Sequence, residues 1–157
     1  MKNITLNRIQ YNKAFTFIEF AVVLMVVSLL IALILPAAAR LEDSARTGTT
    51  EDEIVDIQTD IDDFFDTNGF YPNSLGDIYD PIPLDPWGNP FQYLNHATSN
   101  GNGKKRKDMN LVPINSDYDL YSKGPDGKST SPLTSALSHD DIVRGRNGAY
   151  IGIALYY

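Results

Sequence analysis

Twenty consecutive residues, Phe20 to Ala39, run FAVVLMVVSLLIALILPAAA without a charge, and this stretch limits the chain more than any other. As an α-helix rising about 1.5 Å per residue it is about 30 Å long, the hydrocarbon thickness of a bilayer. A helix that is apolar on every side has no face to offer water, so lipid or other apolar helices must cover it. The preceding segment, MKNITLNRIQYNKA, carries Lys2, Arg8 and Lys13 and no acid. Positive charge on that flank predicts a single pass with a cytoplasmic N-terminus. The rest of the 157-residue chain is polar enough to bring the mean hydropathy to −0.22. Its size fits one domain plus an appendage.

The formal net charge is −7, from 13 basic and 20 acidic residues. Nonspecific nucleic-acid binding needs a basic surface, so nucleic acid is not an expected partner. The chain has no cysteine and hence no disulfide; this leaves the redox compartment open.

Glu19 stands at the edge of the apolar run, after Phe15-Thr16-Phe17-Ile18. A carboxylate there is costly unless it is solvated or paired. Two readings fit: a residue at headgroup level that needs no partner, or an acid whose counter-ion comes from another chain.

The segment Lys13-Ala14-Phe15-Thr16-Phe17-Ile18-Glu19 resembles the processing motif of the type IV pilin-like family: a short basic leader, a small residue, then Phe-Thr-Leu-Ile-Glu and a long apolar helix. Pro36 matches the family's helix proline, being twenty-second when Phe15 counts as first. The resemblance implies cleavage by a prepilin peptidase between Ala14 and Phe15, and N-methylation of Phe15. It also implies that Glu19 attracts the new amine of a neighbouring subunit during assembly. The family usually has Gly before the cut where this chain has Ala14, which is also small. Loss of residues 1–14 would leave 10 basic and 20 acidic side chains, a net −10. A rival reading takes Leu35-Pro36-Ala37-Ala38-Ala39 as an A-x-A signal-peptidase site, giving a secreted binding module that starts near Arg40. Against it, the apolar run exceeds the usual length of a signal core, and an acid at its start is unusual.

Beyond the apolar run, Arg40 to Asp66 continues as an acidic helix. Ile54, Ile57, Ile61, Phe64 and Phe65 recur at helical spacing and form an apolar stripe. Asp52, Asp56, Asp60 and Asp63 fall opposite, either as a solvated face or as a dock for a basic neighbour. Pro36 and Gly48 are weak points where a bend or local melting is expected. Asn68-Gly69 ends the helix. Pro72, Pro81, Pro83, Pro86 and Pro90 then force an irregular loop. Strands are expected after the turn Asp85-Pro86-Trp87-Gly88-Asn89-Pro90, at Tyr118–Ser122, and across Ala149–Leu155. The fold class is α+β: a long N-terminal helix covering a small antiparallel sheet. Three parts follow: a leader at 1–14, a transmembrane and polymerisation helix at 15–39, and an α+β head at 40–157.

DPWGNPFQY, followed by YDLYSKGPDG and then DDI, resembles the major pseudopilins of type II secretion systems. In that family the loop after the second of these motifs binds one calcium ion. The resemblance implies candidate ligands at Asp126, at Asp140 or Asp141, and at the main-chain oxygen of Lys123. Calcium is a hard ion that takes six to eight oxygens, and a Gly-rich turn lets carbonyls converge. The same residues also read as two ordinary polar turns.

Asn95 to Asp108 is polar and Asn/Gly-rich and contains Lys104-Lys105-Arg106-Lys107. It reads as a surface loop, or as a basic patch that meets the acidic helix face of the next subunit. His96 and His139 lie in polar segments without zinc spacing. No nucleophile motif or phosphate loop is present, so the chain is not expected to be an enzyme. Taken together, the resemblances imply a structural subunit of a helical homo-oligomeric filament. Its partners would be a prepilin peptidase, an inner-membrane assembly platform, minor pseudopilins and, before assembly, membrane lipid. The filament would be a secretion pseudopilus that moves proteins across the outer membrane, or a surface pilus for adhesion or motility.

Overall fold

The computed structural model describes residues 15–157. The leader expected at 1–14, with Ala14, lies outside the described residues. The chain divides into two compact units, the first ending at Leu41 and the second covering Glu42–Tyr157.

One helix, α1 (Phe17–Asn68), contains Pro36. Helical structure is continuous through Pro36 and Gly48, so the local melting expected at these positions does not occur. Proline removes only its own N–H from the ladder, and Gly48 costs about 1 kcal/mol relative to Ala, too little to open a long helix. In the first unit every large apolar side chain from Phe17 to Leu35 is exposed, as expected of a segment apolar all round. The helix ends where Gly69 takes a positive φ of 77° and donates its N–H to Phe65 O at 2.7 Å.

In the second unit the helical stripe becomes core. Ile54, Ile57 and Ile61 pack with Leu75, Phe91, Tyr118, Leu120 and Ile142. Burying each isoleucine contributes about 1.5–3 kcal/mol. Phe64 and Phe65, expected in the same stripe, are only partly covered. Asp52, Asp56, Asp60 and Asp63 are exposed, as expected.

The sheet has four antiparallel strands in the order β1 (Gln92–Asn95), β2 (Tyr118–Ser122), β3 (Ile142–Gly145) and β4 (Tyr150–Ile153). β3 was not expected from the sequence. It is short and centres on Arg144, which breaks the hydrophobic pattern. The guanidinium survives burial because Asp117 receives it in a two-pronged contact at 2.9 and 2.8 Å. Gln58 of α1 accepts its Nε–H at 2.7 Å, and the ring of Tyr118 lies 4.0 Å from Cζ. Adjacent β3 residues face opposite ways: Ile142 joins the helix-side core, whereas Val143 joins Ile114, Leu133 and Ala154.

Candidate functional site

Two places carry the expected functional residues. In the first unit, Thr16 and Glu19 form a reciprocal cap at the start of α1. The Thr16 N–H and hydroxyl both donate to Glu19 Oε2 at 2.8 Å, and the Glu19 N–H donates to Thr16 Oγ1 at 3.3 Å. This is the T-x-x-E box that satisfies free backbone donors at a helix start. The spacing was visible in the sequence, but its capping role was not read there. Glu19 is exposed, and Phe15, Ile18, Val22 and Val23 line an apolar hollow beside it. The cap fixes where the carboxylate sits, with apolar surface around it. Pro36 also lies exposed within α1.

In the second unit the two head motifs interlock. Asp85, buried, turns DPWGNP on itself: its Oδ1 accepts the N–H groups of Trp87 at 3.1 Å and Asn89 at 2.8 Å. Its Oδ2 accepts the Ser122 hydroxyl at 2.5 Å. Asn89 Nδ2 donates to Gly124 O at 3.1 Å. DPWGNP and YDLYSKG are thus one hydrogen-bonded unit.

Of the implied calcium ligands, Asp140 stays with Asp126 and its alternative Asp141 does not. Asp126 and Asp140 meet at the exposed turn, where the Asp126 N–H donates to Asp140 Oδ2 at 3.2 Å. Asp126 Oδ1 accepts the Lys128 N–H at 2.7 Å. Lys123 is half-buried just before this turn. Gly124 holds the turn against Asp140: its φ is 61°, and a Cβ would strike the Asp140 carbonyl. Asp141 points elsewhere. It is fully buried, and its Oδ2 accepts from Arg106 Nη2 at 2.5 Å and from the Ser129 hydroxyl at 2.6 Å. Burial pushes the Asp141 carboxyl above its ordinary value, with the Ser129 hydrogen bond and the Arg106 charge working against that rise. Among the described residues no three His, Cys, Asp or Glu side chains gather as a metal group. Asp126 and Asp140 therefore stay together at the turn, and Asp141 is engaged elsewhere.

Arg106 is the residue the sequence placed least well. Read as part of an exposed basic run, it is 2% exposed. Its neighbour Lys104 is exposed, and Lys105 and Lys107 are half-buried. Nothing in the local sequence shows that its acceptors lie 23 to 35 residues away. His96, expected in a polar loop, is also buried, with Nε2 3.0 Å from Asp119 Oδ2.

The first unit is thus an apolar helix that opens on a capped acid, and the second holds an α+β head. In sequence the chain is similar to the type II secretion system core protein G of Pseudomonas aeruginosa, with 27% identity over 135 residues, covering 73% of this chain and 84% of the relative. The resemblance drawn from the motifs is borne out by this match. A secretion-system core protein as relative also agrees with a chain that is not an enzyme. No family model matches, and no solved structure matches.

Proposed function

We propose that this chain is a pseudopilin-type structural subunit that polymerises through α1 into a filament of a type II secretion system. The observation that carries the reading is the state of the first unit: every large apolar side chain from Phe17 to Leu35 is exposed, and Glu19 is fixed at its start. The helix is long and apolar enough to cross a membrane. Lipid covers it before assembly, and the same surface of other copies covers it afterwards. Transfer from one to the other is close to neutral in hydrophobic terms, since lipid tails are as apolar as leucine. Packing and charge must therefore favour the filament.

Glu19 supplies that charge. In this reading the prepilin peptidase cuts after Ala14, Phe15 becomes the N-terminus, and its amine pairs with Glu19 of a neighbour. A pair of opposite charges in an apolar setting outweighs its desolvation cost only where the geometry is good, and the Thr16 cap fixes one half of it. The similarity to core protein G supports the secretion filament; in this reading an assembly platform and minor pseudopilins are its partners.

The test is to express the chain with its secretion apparatus, shear the cells, and identify any fibre protein by electron microscopy and mass spectrometry. Fibres of this chain, with a mature N-terminus at Phe15, are expected. A soluble product starting near Arg40 would replace this reading with the secreted binding module. Fibres on the cell surface without secretion of cargo would make it a surface pilus.

A further inference from the structure

The head contains two long irregular segments, one between β1 and β2 and one between β2 and β3, and they meet at a single buried cation. Arg106 lies in the first. Its Nη1 donates to Ser129 Oγ and to Thr130 O, both at 2.6 Å, and its Nη2 to Asp141 Oδ2 at 2.5 Å. All three acceptors belong to the second segment. The guanidinium stacks on Tyr121 of β2, with Cζ 4.3 Å from the ring centre. Its backbone is pinned as well: the Arg106 N–H donates to buried Asp119 at 2.7 Å, and its carbonyl accepts from Ile114 at 3.0 Å. Next to it, the Lys107 N–H donates to Ser131 O and the Lys107 carbonyl accepts the Leu133 N–H.

This arrangement does what a metal would do for the same loop. A bound cation closes a loop by drawing oxygens from both of its ends to one positive charge. Here Ser129 and Thr130 come from the middle of the segment and Asp141 from its last position, and the charge is covalently part of the chain. A planar guanidinium with five donors suits a carboxylate, a hydroxyl and a carbonyl at once, which a lysine ammonium would not. A metal held by Asp141 would have to take that carboxylate from Arg106 and leave a buried guanidinium without its counter-ion, which is strongly unfavourable.

We infer that Arg106 is the built-in cation of the head, closing residues 123–141 without bound calcium. The inference does not depend on filament assembly. The test uses the full-length chain in detergent micelles, with calcium and with excess EGTA, followed by thermal melting and by mass-spectrometric mapping of limited proteolysis. For the unmodified chain, melting and cleavage within 123–141 are expected to be the same in both conditions. Arg106→Met should lower the melting temperature by about 10 °C, because it strands buried Asp141, and speed cleavage in that segment about tenfold or more. Adding Asp141→Asn to Arg106→Met should restore several degrees by removing the stranded charge. Chelation that lowers melting or speeds cleavage of the unmodified chain overturns the inference. So does an Arg106→Met variant as stable as the unmodified chain. If Arg106→Met does not fold, the chelation arm on the unmodified chain still decides.

Discussion

Asp85 and Ser122 are joined by a 2.5 Å hydrogen bond in the interior of the head, between residues 37 apart in sequence. The same carboxylate closes the turn ahead of β1, so one side chain sets the register between that turn and the end of β2. Asp85→Ala would leave two backbone N–H groups and the Ser122 hydroxyl without their acceptor. Each buried unsatisfied group costs about 1–3 kcal/mol, so a loss of about 3 kcal/mol or more is expected. Denaturant unfolding of the full chain in detergent measures it. Ser122→Ala removes two bonds, the one to Asp85 and the Gly124 N–H that the hydroxyl accepts at 3.0 Å, and should cost about 2 kcal/mol.

Gly124 sits where the chain must take a positive φ and pass against Asp140. Gly124→Ala would add both left-handed backbone strain of about 1–2 kcal/mol and a clash with a main-chain carbonyl. Destabilisation greater than that of Gly48→Ala is expected. Gly48 lies in α1 with open space around its missing Cβ, so alanine there should stabilise by up to about 1 kcal/mol. Paired melting curves of the two variants compare them directly.

Asp117 and Arg144 give the head a measurable pH dependence. Burial works to raise the Asp117 carboxyl, but hydrogen bonds from Arg144 and from the Tyr118 N–H, with the Arg144 charge, outweigh it and hold the group below its ordinary value. A depressed folded-state value means that its stabilisation is complete above the unfolded value, about 3.9, and is lost as pH falls through the folded one. Asp117→Asn should therefore melt lower than the unmodified chain at neutral pH, and the gap should narrow on acidification below about pH 4. Glu51, Glu53 and Asp62, raised chiefly by burial, act in the opposite sense; Glu51 and Glu53 cancel between the two proteins, whereas Asp62, which the Asp117 charge also raises, opposes less in Asp117→Asn. A gap that stays constant down to acid pH would contradict the assignment.

The parts of the molecule that could be read from sequence are those whose partners are near in the chain or whose pattern is periodic. Ile54, Ile57 and Ile61 announced the buried face of α1 by spacing alone, and Gly69 its end. Tyr118–Ser122 alternated well enough to be seen as a strand. β3 was hidden because Arg144 interrupts it, and only Asp117 and Gln58, brought by other elements, make that arginine acceptable inside. Arg106 failed for the same reason: four basic residues in a row look solvated until Asp141 and Ser129 arrive from across the sheet. Of the calcium ligands implied by resemblance, Asp140 stays with Asp126 at the turn, whereas Asp141, its neighbour in the motif, is drawn inside by Arg106 and Ser129. At the other end of the chain, the expected role of Glu19 was chemical rather than structural, and its cap with Thr16 emerged only from geometry.

The cap provides a sharp test of the account. Gln at position 19 keeps an oxygen for the Thr16 N–H and hydroxyl, so the helix start should survive, but it has no charge to meet an amine. Fibre abundance should be measured by electron microscopy and by quantifying sheared protein, comparing Glu19→Gln with the unmodified chain at equal membrane levels. Fibres should fall to a small fraction of normal while the protein stays in the membrane and its head melts unchanged. Glu19→Gln fibres as abundant as the unmodified ones would contradict the claim that this carboxylate charge drives α1 from lipid into the filament.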